Sequence, residues 1–517
     1  MTATLYNGTP TITVTDNRGL AVRRLQYNRA KKEATVDELI TAMTYSVAGF
    51  ALNHTDPRLG RLQTNTQPAN FRYRPDLAGR ALRTDSVDAG VHWSVFDIEG
   101  RPIWQQDAGS TVTHTEYDTL GRLTRVSEQR VGKGQLILLK KLSYGDSELD
   151  RRASAQAANL CGVVSQQLDT AGQLTTPAMT LTGQPHVQIR RLLKMTQGDP
   201  DWDAKPQPVL EQTTYETAWT YNALGAPLTQ TDAKGNVQQI YYDVAGQLAA
   251  ASLKQANGAP PQVLLKSIYY SAHGQVESET AGNDVTTAYT YCPKTLRLKK
   301  SLAQNAQDKI LQQLEYQYDP VGNILSIEDK ADVSAFFSNE EIKPKSTYAY
   351  DALYQLVRAT GREQANANPG CRLPEWMGPP PSNARVNYTR EYEYDRGGNL
   401  TKIQCTRGAL RFTQKMKVIE GSNRLGALLF PSDANNPPGV NVQAGDTVDH
   451  FKYDANGNPG VLGIKELKSL QWNGRNQLNH VVLLSHDNGD SDEEHYQYDG
   501  NGQRIRKITS TFRCYFF

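Results

Sequence analysis

The stretch Leu314-Glu-Tyr316-Gln-Tyr318-Asp319-Pro-Val-Gly322-Asn-Ile324-Leu-Ser-Ile327 decides how this chain folds. Leu314, Tyr316 and Tyr318 alternate with polar residues, which is the period-two pattern of a half-buried strand. The carboxylate of Asp319 can accept a backbone N–H two residues on and close a turn. Gly322 supplies a positive φ at the turn's exit without a Cβ clash. Ile324, the apolar residue two after the glycine, starts a return strand. The unit is a β-hairpin with a loop of about four residues.

Working outward, the same unit recurs in both directions. Clear copies are Tyr117-Asp118-Thr-Leu-Gly121, Tyr221-Asn222-Ala-Leu-Gly225, Tyr242-Asp243-Val-Ala-Gly246, Tyr350-Asp351-Ala-Leu-Tyr354, Tyr394-Asp395-Arg-Gly-Gly398, Tyr453-Asp454-Ala-Asn-Gly457 and Tyr498-Asp499-Gly-Asn-Gly502. Degenerate copies lose the tyrosine or the aspartate, as at Tyr45 to Gly49, Asp76 to Gly79, Asp97 to Gly100, Asp169 to Gly172, Asp232 to Gly235 and Tyr270 to Gly274. A lone hairpin is unstable in water, but a stack of hairpins adds one neighbour contact per copy. The expectation is an all-β fold: tandem hairpins in a curved, spiralling sheet, with buried tyrosines in register as an aromatic ladder.

Composition agrees with that pattern. Among 517 residues there are 26 tyrosines and 40 glycines, with only 38% hydrophobic and 21% charged residues. This is the balance of a turn-rich β protein rather than of one large helical core. A net charge of +2 lacks the basic surplus of a nucleic-acid binder. Five cysteines (Cys161, Cys292, Cys371, Cys405, Cys514) form no CxxC pair and read as reduced thiols. The first twenty residues show neither a basic nor an apolar signal-peptide region, and no apolar run reaches membrane-spanning length. Cytoplasmic synthesis followed by release without a signal peptide is the corresponding expectation.

Residues 1–44 read as a segment entering the repeat region and 45–517 as the repeat region itself. Polar, proline-rich insertions near 198–208, 364–385 and 431–447 read as surface loops. Thr35 to Thr44 and Asp332 to Ile342 are the helix candidates. No metalloprotease, phosphate-loop, nucleophile-elbow or zinc spacing occurs, and the nine histidines are scattered. Recurrence of aspartate beside glycine favours a turn role over paired catalytic carboxylates. The acidic run Asp487 to Glu494 reads as a solvated hairpin tip, since no register fits a calcium loop. The expectation is no enzyme, no catalytic residue, no cofactor and no metal; the residues that matter are the turn residues themselves.

The repeat resembles the YD (RHS) repeat family. Longer strings narrow the resemblance to the C component (TccC-like) of bacterial insecticidal Tc toxin complexes: Asp76-Leu-Ala-Gly-Arg-Ala-Leu-Arg-Thr-Asp-Ser-Val-Asp-Ala-Gly90, Thr229-Gln-Thr-Asp-Ala-Lys-Gly-Asn236, Leu353-Tyr-Gln-Leu-Val-Arg-Ala-Thr-Gly-Arg-Glu363 and Tyr394-Asp-Arg-Gly-Gly-Asn-Leu400. The resemblance implies half of a hollow, cocoon-like shell closed with a B-type partner around a toxic polypeptide, which an A-type component injects. It also implies a core segment after the repeats that acts as an aspartyl autoprotease. No such string follows Tyr498-Asp499-Gly-Asn-Gly502, so no autoproteolytic aspartate can be carried over, and a truncated chain without core or cargo domain is expected. The competing reading is a surface or adhesive repeat protein that binds glycans through tyrosine-rich faces.

Overall fold

The computed structural model describes residues 5–61, 68–130, 132, 134–147, 152–337, 340–364, 385–407, 410–429, 447–461, 469–485 and 491–510. Among them, regular structure is strand after strand, broken by one short α-helix at Arg152–Ala157 and a 3-10 turn at Leu59–Arg61. Successive strands pair antiparallel. Ile310–Tyr318 pairs with Ile324–Asp329, matching Leu314 to Asp329 and Tyr318 to Ile324. Val237–Tyr242 pairs with Leu248–Lys254, and Arg385–Tyr394 with Leu400–Arg407, in the same way. In all three hairpins the register shifts by one residue just before the tyrosine. The extra residue is on the return strand, Leu325 in the first hairpin, and the tyrosine still pairs at the strand's end. No described helix is long and apolar enough to cross a membrane.

The chain divides into two compact units. One comprises 1–93, 289–303 and 310–467; the other comprises 94–288, 304–309 and 468–517. The division drawn at residue 44 falls inside the strand Asp37–Tyr45, and residues 11–45 are already hairpin strands. Both helix candidates are strands. Asp37–Tyr45 pairs residue for residue with Ala21–Asn28, and Ala335–Phe337 pairs with Glu340–Ile342. Cross-strand pairing outweighs the helix-like spacing of Leu39, Ile40 and Met43.

Buried apolar residues are sparse among the described residues. In the second unit Leu138, Leu193 and Trp202 form a small core with Leu168 and Leu210 against it. Trp202 corrects the reading of 198–208 as surface decoration: its indole Nε1 donates to Asp169 O at 3.2 Å, and Pro200 is fully buried. An aromatic residue placed over two leucines pulls this polar segment inward. The insertions 365–384 and 430–446 lie outside the described residues. Of the acidic run, residues 486–490 also lie outside them, while Ser491 to Glu494 belong to the strand Ser491–Tyr498 rather than to a tip.

Candidate functional site

The recurrent turns are the most repeated chemical feature of the molecule. At Asp118, Oδ1 accepts from the backbone of Leu120 at 3.0 Å and of Arg122 at 2.9 Å, while Oδ2 accepts from Arg122 Nε at 2.7 Å. Main-chain bonds Asp118 N to Arg122 O and Gly121 N to Asp118 O, both 2.9 Å, close the loop. Asp243, Asp351, Asp395 and Asp499 each accept from the second and fourth residues on, at 2.8 to 2.9 Å. Asp319 accepts from Gly322 N and Asn323 N, and Asp454 from Asn458 N. Gly121, Gly246, Gly322, Gly398, Gly457 and Gly502 have φ between 77° and 116°. Tyr354 holds the same place at 66° with a full side chain.

The residue after the glycine completes each turn. Arg80, Arg101 and Arg122 close ion pairs of 2.6 to 2.7 Å onto the aspartate four residues back. Asn323 and Asn458 give the same oxygen an amide N–H at 2.7 and 2.9 Å. Burial alone would push the Asp118 carboxyl up, but the Arg122 backbone N–H and guanidinium outweigh it and hold it low. Asp319 follows the same balance with Asn323 and Gly322 as donors. Asp351 goes the other way: burial outweighs its hydrogen bonds from Gln355, Asn28 and Leu353, and its carboxyl is raised.

The tyrosines are half-buried rather than core residues. Their hydroxyls make directed bonds to the preceding turn. Tyr117 donates to Pro102 O, Tyr242 to Pro227 O, Tyr350 to Ile324 O, Tyr394 to Leu356 O, Tyr453 to Leu425 O and Tyr498 to Leu478 O, at 2.6 to 3.0 Å. In five of the six the acceptor is two residues past the left-handed position of the upstream turn, while Leu425 lies four past Gly421. Arginines at that turn also cover the next ring, with Arg101 4.8 Å from the Tyr117 centroid and Arg122 4.1 Å from that of Tyr144. Tyr318 instead stacks on Tyr316 at 6.4 Å, with Arg297 5.9 Å from its ring. The motif could have been read as two residues longer, since arginine, asparagine or glutamine after the glycine was already visible in the sequence.

Within the first unit, turns distant in sequence are brought together. Asn28 Nδ2 donates to Asp351 Oδ2 at 3.0 Å, and the Tyr6 hydroxyl lies 3.5 Å from Asp319 Oδ2. Asn423 Nδ2 lies 3.3 Å from Asp56 and 3.4 Å from Asp88, and Arg58 Nε lies 3.5 Å from Asp395. Within the second unit, buried Glu128 is held by Arg130 at 2.6 Å and Arg475 at 2.9 Å, and Asp199 pairs with the same two arginines. Fully buried Asp169 receives Arg190 on both oxygens at 2.8 and 2.9 Å. These carboxylates spend their lone pairs on donors of the fold. One constellation stands apart from the turns: His480, Glu493 and His495 gather on the face shared by the strands Leu478–Ser485 and Ser491–Tyr498. No sequence spacing announces it, because strand pairing supplies the third member.

No family model matches the chain. Two curated proteins of Yersinia entomophaga do, each over 98% of this chain at 36% identity: toxin subunit YenC2, of which 53% is covered, and toxin subunit YenC1, of which 51% is covered. This chain is a homologue of Tc toxin subunits. It therefore spans about half the length of the curated relatives it matches. The crystal structure of TcdB2-TccC3 superposes on 99% of this chain with a TM-score of 0.87 at 38% identity, using 24% of that longer chain. The Photorhabdus luminescens Tc holotoxin pore superposes equally completely, with a TM-score of 0.86 at 37% identity. The all-β hairpin architecture of the Tc homologue is thus that of the TcdB2-TccC3 fold.

Proposed function

We propose that this chain is a wall segment of a Tc-type toxin shell, corresponding to the repeat part of a TccC-like C component. It closes with a B-type partner around a toxic polypeptide and meets an A-type injector only through the assembled shell. The observation that carries this reading is the superposition of 99% of the chain on a joined B–C structure at a TM-score of 0.87. The chemistry agrees: carboxylates of the repeat are consumed by backbone amides, arginines and asparagines, which is what a wall requires and what a catalytic pair could not tolerate. The chain contributes no catalytic step of its own, and it is released as part of the complex.

Co-expression with a B-type subunit tests the proposal. Co-elution of the two chains in one particle, with the polypeptide fused after Phe517 protected from protease, is the expected result. Separate elution from every B-type partner tried, or an unprotected fusion, overturns it. Glycan binding by the free chain without partner association would instead favour the adhesive reading.

A further inference from the structure

We propose that His480, Glu493 and His495 form a binding site for one divalent transition-metal ion, zinc being the species that suits two imidazoles and a carboxylate. The strands place the three together. His480 sits directly opposite His495 in the ladder, and Glu493 lies two residues before His495, on the same face. Glu493 Oε2 is 3.0 Å from His480 Nε2 and 3.5 Å from His495 Nε2. An ion with bonds of about 2.0–2.2 Å needs neighbouring ligands roughly 3.0–3.5 Å apart, in octahedral or tetrahedral arrangement. All three side chains are partly covered, yet none is sealed from solvent.

The present hydrogen bonds already hold the three ligands close together. His495 Nε2 lies 3.1 Å from the amide nitrogen of Gln197, which can only donate. His480 Nε2 donates to Glu493 Oε2 at 3.0 Å, so an ion would take the place of that proton. Ser491 Oγ donates to Glu493 Oε1 at 2.9 Å, which orients the carboxylate with Oε2 toward both imidazoles. The rings now stack with centroids 4.4 Å apart and planes 7° from parallel, so binding requires one imidazole to tilt.

The test uses the full chain, free of any histidine tag, stripped with chelator and titrated with Zn²⁺ against a chromophoric competitor. One tight equivalent is expected, with the melting temperature raised on loading. His495→Gln and Glu493→Gln should each weaken it at least 100-fold, and Ser491→Ala about 10-fold. Co²⁺ loading of the unmodified chain should give a visible d–d band that Zn²⁺ quenches. That readout needs no variant to fold. Absence of the cobalt band, or an equivalent whose affinity survives in both ligand variants, overturns the assignment. Failure of partner association would leave this result untouched, so the site and the shell reading are separately falsifiable.

Discussion

At the scale of the residue, Asp118 and Asp351 occupy the same station in their turns and answer to opposite electrostatics. Asp118 meets Arg122, so its ionised form stabilises the folded chain; at Asp351 burial outweighs the Asn28 amide and the backbone N–H groups, so its charge is a cost. Asp118→Asn should therefore lower the urea midpoint at pH 7. Asp351→Asn should hold or raise it. Asn28 Oδ1 is unpartnered and can turn to accept the new amide. The sign with pH follows. Carboxyls held low, among them Asp118, Asp319 and Asp332 (about 2, between Arg385 and Arg362), give stability that is complete above the unfolded value near 4. That stability drains away as the pH falls through their folded values. Asp351 contributes in the opposite sense. A wild-type unfolding midpoint flat from pH 5 to pH 2 would contradict this. Tyr394→Phe keeps the ring and deletes the bond to Leu356 O; a loss of about 1 kcal/mol by denaturant titration is expected.

At the scale of the element, the hairpin was readable because its chemistry is local. Alternation, aspartate and glycine fall within a dozen residues around Tyr318, and each acts on its immediate neighbours. What lies between hairpins was not readable. Tyrosine hydroxyl rungs and the His480–Glu493–His495 group depend on which strand lies alongside, and Thr35 to Thr44 reads as a helix candidate for the same reason. Turn substitutions separate the local terms. Gly322→Val forces a branched side chain to φ 116° and should cost roughly 2 kcal/mol. Gly246→Ala, with no atom within 4 Å of the added methyl, isolates the backbone term at about 1 kcal/mol. Tyr354→Gly relieves a left-handed tyrosine while giving up a ring contact with Tyr6 at 5.7 Å. The two should nearly cancel, and a fall in melting temperature as large as that of Gly322→Val would refute that balance.

At the scale of the molecule, each unit is assembled from segments hundreds of residues apart. In the second unit the joining group is Glu128 with Arg130 and Arg475. Glu128→Gln leaves two arginines with Asp199 as their remaining carboxylate among these groups. A loss of about 3 kcal/mol is expected, with the strands 469–510 gaining amide hydrogen exchange before the rest of the unit. Uniform exchange across the unit would mean that Glu128 does not tie those strands down. The family relation was legible because turn strings such as Leu353 to Glu363 are long and ordered. The long-range ion pairs were not, since nothing near Arg475 names Glu128 as its partner.

The tyrosine rungs all point one way. Each hydroxyl reaches a carbonyl made earlier, from 15 residues upstream for Tyr117 to 38 for Tyr394. A chain leaving the ribosome thus finds every acceptor already in place when its tyrosine emerges. The sheet can be laid course by course during translation, each new hairpin latching onto the last, with little unpaired edge left waiting for a wrong neighbour.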